Sequence, residues 1–177
     1  LVRENTLSGS DFVLPIFLTD GKNKKQEIKL MKGVYRYSVD NLSVIIDRAV
    51  KNKIPMVALF PNTNIKLKDK NGSEALNENN LVSKAIVKIK KKYNNKIGIM
   101  CDVALDPYTT HGHDGILEKK EILNDKTIEI LIKQSLLQAQ MGCDVIAPSD
   151  MMDGRIGEIR KELDKNGYEN IQLLSYA

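Results

Sequence analysis

Ile97-Gly98-Ile99-Met100-Cys101-Asp102-Val103-Ala104-Leu105, joined through a long polar connection and a helical pattern to Val145-Ile146-Ala147-Pro148, is the stretch on which the fold turns. Both apolar runs are short and contain β-branched residues, which reads as two buried strands. Between them Ile128, Leu131, Ile132, Leu136 and Ala139 recur at helical spacing, with Asn124 or Asp125 as the expected N-cap and Gly142 as the stop. Strand, helix and strand in that order form a right-handed βαβ unit, and so a parallel pair.

The alternation extends in both directions. Upstream, residues 12–18 and 55–61 read as strands. Leu42, Ile45, Ile46 and Ala49 mark a helix capped by Ser38 or Asp40, and Val82, Ala85, Ile86 and Ile89 mark another over residues 81–92. The chain between the first strand and Arg36 reads as a polar, lysine-rich connection. Downstream, Ile156, Ile159 and Leu163 mark a helix ending at Asn166-Gly167, and residues 171–177 a fifth strand. Strands alternating with amphipathic helices give a parallel sheet covered by helices. An open dinucleotide-binding sheet would carry a glycine-rich turn after its first strand, and none is present. The longest connections leave the C-terminal ends of strands while the returns are short, which is how a (β/α)8 TIM barrel builds its active face. Four βα units and a fifth strand are about half of such a barrel, so residues 1–177 read as one incomplete domain.

Composition narrows the function classes. Hydrophobic residues at 42% and charged residues at 28% are those of a soluble globular protein. No apolar run has the roughly 18 residues of a membrane span, and the N-terminus lacks the order of a signal peptide. Two cysteines, both in apolar runs, fit a reducing compartment, so no membrane and a cytoplasmic location are expected. The net charge of +4 comes from lysines scattered among glutamates, with aromatics at only 5% and no tryptophan, which argues against nucleic acid. The lysines of residues 84–92 read as a solvated outer helix face.

Chemistry concentrates after the third and fourth strands. Alternation places Asp102, Ala104 and Asp106 on one face and Cys101, Val103 and Leu105 on the other, so the carboxylates point into the barrel. A strand carboxylate is costly to bury without a partner, and Asp102 is therefore a candidate functional group. His111 and His113, the only histidines, lie in one glycine-flanked loop with Asp106 and Asp114. They either ligate a divalent metal, as in barrel hydrolases, or bond backbone groups and shape the loop. In Ser149-Asp150-Met151-Met152-Asp153-Gly154-Arg155, Asp153 is the expected cap of the next helix, and Arg155 in its first turn calls for a carboxylate partner.

Asp102-Val103-Ala104-Leu105-Asp106-Pro107-Tyr108-Thr109-Thr110-His111-Gly112-His113-Asp114-Gly115 and residues 147–155 closely resemble the porphobilinogen synthase (5-aminolevulinate dehydratase) family. The likeness includes Leu1-Val2-Arg3-Glu4, Leu14-Pro15-Ile16-Phe17, residues 33–38, Leu59-Phe60-Pro61, residues 72–75 and Leu174-Ser175-Tyr176-Ala177, with Lys32 standing where proline is common. The resemblance implies a homo-octameric (β/α)8 lyase that condenses two 5-aminolevulinate molecules to porphobilinogen in heme synthesis. It implies Schiff-base lysines that lie outside this segment, the first just past Ser-Tyr-Ala. Zinc-dependent members carry cysteines at the positions of Ala104, Asp106 and Asp114. Their absence here implies no active-site zinc and leaves two cations open, magnesium at a site outside this segment or a monovalent ion held through water. By the same resemblance Asp106 and Asp114 line the second-substrate site, Asp102 orients or deprotonates the amino group there, and Ser149 bonds the intermediate. The other readings at this point are a metal-dependent TIM-barrel hydrolase, and an inactive barrel fragment if nothing follows residue 177.

Overall fold

A computed structural model describes residues 4–176; Leu1, Val2, Arg3 and Ala177, which carry part of the likeness above, lie outside the described residues. The chain runs β1 (Val13–Thr19), β2 (Lys25–Ile28), β3 (Met31–Ser38), α1 (Ser43–Lys51), β4 (Met56–Asn62), α2 (Leu81–Tyr93), β5 (Gly98–Val103), β6 (Leu117–Glu118), β7 (Glu121–Ile122), α3 (Asn124–Met141), β8 (Val145–Pro148), α4 (Arg155–Lys165) and β9 (Gln172–Leu173). The main sheet has the order β2-β3-β1-β4-β5-β8-β9, and every neighbouring pair is parallel except β2 with β3.

Alternation along the strands separates two faces. Ile16, Leu18, Val57, Leu59, Ile99, Cys101, Val103 and Ile146 pack into one core with Ile46, Ala49, Ile86, Ile89, Leu131, Ile159 and Leu163 of the helices. The opposite face holds a smaller cluster, Ala58, Met100, Val145 and Ala147, with Met56, Phe60 and Leu174 against it. Helices cover only one face of this parallel sheet. A doubly wound sheet would bury both under helices, whereas a barrel wall keeps its second face for the barrel interior.

Several local expectations are corrected. The stretch between β1 and α1 is the antiparallel hairpin of β2 and β3, and β3 then pairs with the end of β1. Its outer residues Lys25, Gln26, Glu27, Met31 and Lys32 are exposed, so no buried apolar alternation marked it as strand. Ser38 and Asp40 do not cap α1. The Ser38 hydroxyl accepts from the Lys24 N–H and the Asp40 carboxylate from the Asn23 N–H, tying the hairpin down instead. Asn124 and Asp125 are likewise inside α3 and cap nothing; Asn124 exchanges two hydrogen bonds with the Asp153 backbone. Gly154, at φ 81°, rather than Asp153, occupies the N-cap of α4. Asn80 does cap α2, accepting from the Ser83 N–H at 2.8 Å, and Gly142 ends α3 with φ 102°. The fifth strand is shorter than expected, Gln172–Leu173.

Candidate active site

The register that builds the barrel wall also gathers the candidate groups. Asp102 pairs with Ala147 across β5 and β8, so Asp102 and Ser149 are diagonal neighbours on the inner face at the C-terminal end of the sheet. Residues 172, 174 and 176 continue that face, and Tyr176 lines a groove of about 320 Å³ with Phe60, Met100 and Leu174. Cys101, Val103 and Leu105 are fully buried on the helix side, as alternation predicts. A larger groove, about 760 Å³ beside Val39, Ser83, Val87 and Met141, is lined by none of Asp102, Asp106, Asp114 and Asp150.

Asp102 is the most perturbed carboxyl here. Burial pushes it up to about 6, and Asp106 and Asp150 add to the rise while Ser149 opposes it. Its Oδ1 is buried without a hydrogen-bond partner, the condition in which a carboxyl holds its proton. Asp106 is raised by burial first and by Asp114 second, although its side chain reaches solvent; Lys68, whose Nζ donates to the Asp106 carbonyl at 3.4 Å, pulls it down. Burial also raises the phenols of Tyr108 and Tyr176, each with Asp102 as a contributing charge.

Asp150 is 1% exposed. Its Oδ1 accepts from the Met152 N–H at 2.8 Å, and its Oδ2 lies 3.1 Å from the Arg155 Nε at an angle that makes an ion pair but no hydrogen bond. Here is the partner that Arg155 called for. Burial raises the Asp150 carboxyl and Arg155 lowers it, so one guanidinium keeps a buried charge close to the rim.

The histidines spend their nitrogens on the loop. The His111 Nδ1 accepts from the His113 N–H at 3.1 Å and its Nε2 faces the Lys70 carbonyl at 3.3 Å, an arrangement that one neutral tautomer satisfies. The His113 Nδ1 accepts from the Gly115 N–H at 3.0 Å. Asp114 Oδ1 stands 3.2 Å from that same nitrogen, which cannot accept from Gly115 and donate to Asp114 at once. Thr109 Oγ1 donates to the His113 carbonyl, and Asp69 exchanges backbone bonds with Tyr108 and Thr110, which joins this loop to the one after β4. Of the two readings of the pair, the geometry matches loop shaping, and no group of three or more metal-ligating side chains gathers among the described residues.

The structure therefore brings Asp102, Asp106, Asp114 and Ser149 to one end of the sheet, through the direct and electrostatic contacts above. Sequence reasoning did not single out Asp150, Tyr108, Tyr176 or Lys68 as site residues. The demand of Arg155 for a carboxylate was the signal for Asp150. Tyr176 shares the parity of residues 172 and 174, which alternation could have extended. Nothing local marks Lys68, which depends on a loop-to-loop contact.

A family profile described as Delta-aminolevulinic acid dehydratase matches residues 1–177. Delta-aminolevulinic acid dehydratase of Bradyrhizobium diazoefficiens is 52% identical over 177 residues, and that of Chlamydia pneumoniae 44% identical; both alignments cover 100% of this chain. The chain spans about half the length of these relatives, 50% and 53%. A crystal structure of the Toxoplasma gondii ME49 enzyme in complex with the reaction product porphobilinogen is 35% identical and matches with a TM-score of 0.95, over 99% of this chain and 50% of that one. The sheet described above is thus half of a TIM barrel, and the chain belongs to the delta-aminolevulinic acid dehydratase family.

Proposed function

We propose that the whole protein is a porphobilinogen synthase, condensing two 5-aminolevulinate molecules to porphobilinogen with loss of water in heme biosynthesis. One observation carries the reading: the backbone of this chain follows, at TM-score 0.95, a relative whose crystal structure holds that product. Building a pyrrole from two amino ketones requires protons to leave an ammonium group and a carbon beside a carbonyl. A carboxyl near 6 is mostly ionised at neutral pH yet close enough to it to take a proton and return it, which suits Asp102 to that work. Its orphaned Oδ1 is a ready acceptor for a substrate amino group. Asp106 and Asp114 supply negative charge to hold a second ammonium, and Ser149, exposed beside Asp102, is placed to bond the intermediate.

The donor set does not fit a thiolate-held zinc. Cys101 is buried on the helix side of β5, and the buried Cys143 thiol sits against the Val145 carbonyl at 3.0 Å and the Ile99 carbonyl at 3.3 Å, so neither sulfur reaches the carboxylates. Our reading therefore has no active-site zinc, and assigns any magnesium to a site outside this segment. It further includes Schiff-base lysines outside residues 1–177, a homo-octamer and a cytoplasmic location; no described helix is long and apolar enough to cross a membrane.

The test is pyrrole formation from 5-aminolevulinate by the purified whole protein, detected with an aromatic aldehyde, before and after removal of divalent metal. Product formation is expected, with activity persisting when zinc alone is withheld. Absence of pyrrole under every metal condition would overturn the assignment.

A further inference from the structure

The β4–β5 ladder ends at Leu59 and Cys101, although β4 runs on to Asn62 and β5 to Val103. The reason lies in one residue. Gly98 donates to the Pro55 carbonyl opposite, so residues 98, 100 and 102 turn their backbone groups toward β4, and the β4 donors that face them are residues 57, 59 and 61. Residue 61 is proline. It has no N–H, and the Asp102 carbonyl loses the partner that the ladder would have supplied.

A side chain fills that place. Gln138 of α3 is 3% exposed, and its Nε2 donates to the Asp102 carbonyl at 3.0 Å. One turn earlier Gln134, 1% exposed, reaches the Ala104 carbonyl, the next to face that way, at 3.4 Å. Both amides leave their Oε1 buried without a hydrogen-bond partner. Apolar residues would fill the same space without that penalty, so the donors are what the position uses. We infer that Gln138 is a positioning residue for the reaction: it replaces the backbone donor that Pro61 withholds and fixes the stretch of β5 that presents Asp102. Gln134 is the weaker second rung. The inference rests on the function proposed above for Asp102.

The side chain so presented lies within electrostatic reach of Asp106 and Tyr108 from the connection after β5, Ser149 and Asp150 at the end of β8, and Tyr176 after β9. A small displacement of Asp102 changes its burial and its distance to all of these. The pH dependence of turnover therefore reports its position.

The test uses Gln138→Met, which keeps the length and removes the donor, Pro61→Ala, which restores a backbone N–H, and the double variant, all in the whole protein. Gln138→Met is expected to lower kcat by roughly tenfold or more, with KM little changed, and to move the acid limb of the pH profile downward. Pro61→Ala alone should resemble the parent. The double variant should recover most of kcat and the original limb, because the new N–H takes the Asp102 carbonyl. Parent-like kcat and pH profile in Gln138→Met would overturn the inference, as would a defect in activity or folding that Pro61→Ala does not restore. Should the parent form no pyrrole, the proposed function fails first. The pairing of Gln138 with Pro61 is then read from thermal unfolding: a lowered Tm in Gln138→Met recovered in the double variant supports it, and no recovery overturns it.

Discussion

Asp102 carries opposite consequences for chemistry and for stability. Its carboxyl titrates at about 6 in the folded protein against 3.8 for an ordinary aspartate, so the folded state holds its proton more tightly than the unfolded state does. Between those values stability falls as pH rises, and above about 6 the full cost of the buried charge is present, about 3 kcal/mol at most. Asp102→Asn removes the charge and keeps the shape. The variant should unfold at a higher temperature than the parent near pH 8, with the difference shrinking toward zero near pH 4, and should lose about a hundredfold or more in pyrrole formation. Calorimetry across that range together with the assay checks both. A variant that is less stable at pH 8, or that keeps near-normal turnover, removes Asp102 from the role given to it. The prominence of Asp102 could be read from alternation alone, since a carboxylate with the parity of inward-facing residues faces desolvation that an apolar side chain at the same place would avoid. The destination of the histidine nitrogens could not, because backbone amides two residues away compete with any metal for the same lone pairs, and only the folded loop shows which wins.

Asp144 shows how elements are tied below the site. Its carboxylate takes the Lys90 ammonium of α2 at 2.7 Å and the Ile99 N–H of β5 at 2.8 Å, while its own N–H bonds the Ile99 carbonyl just before β8 begins. The Lys90 contact is partly exposed and so worth little by itself; the bond from a strand amide to a charged acceptor is the stronger part. Asp144→Ala should therefore destabilise the protein by about 1–2 kcal/mol, and Lys90→Met by less than about 1, as measured by denaturant unfolding. Equal losses would show that the ion pair, not the strand amide, dominates. At this scale the sequence was most readable in two cases: α2 and α4 bury one apolar stripe, and β4 and β8 are short continuous apolar runs buried within the sheet. In α3 the period is right but Thr127, Gln134, Ser135 and Gln138 share the buried face with the apolar residues. Legibility failed where a segment's partners were polar or distant. The β2–β3 hairpin presents exposed lysines and glutamate, so its strand pairing rests on a sheet edge rather than on an apolar face. Capping failed for a related reason: Ser38, Asp40 and Asn124 are good cap residues, but a hairpin or a neighbouring loop offers each of them a tertiary bond that satisfies it better.

The inner face governs the behaviour of the molecule as a whole. Val13, Pro15, Phe17, Met56, Phe60, Leu174 and Tyr176 share its parity with the Ala58–Met100–Val145–Ala147 cluster, and no helix among the described residues covers them. Val13 remains 43% exposed and Tyr176 49% exposed. The chain spans 50% of its Bradyrhizobium relative, and a TIM barrel closes with eight strands whose inward side chains fill its interior. Residues 1–177 produced alone should consequently associate through this face and bind an apolar fluorescent dye, whereas the whole protein should bind little. Replacing Val13 and Met56 by lysine should suppress dye binding by residues 1–177, and should prevent the whole protein from folding, because two ammonium groups cannot be buried unpaired inside a closed barrel. Sedimentation velocity and dye fluorescence measure the first pair of outcomes, and recovery of folded protein the second. A monomeric, dye-silent chain would mean that the half barrel closes its own interior, and a lysine variant of the whole protein that folds normally would mean that this face is not the barrel lumen.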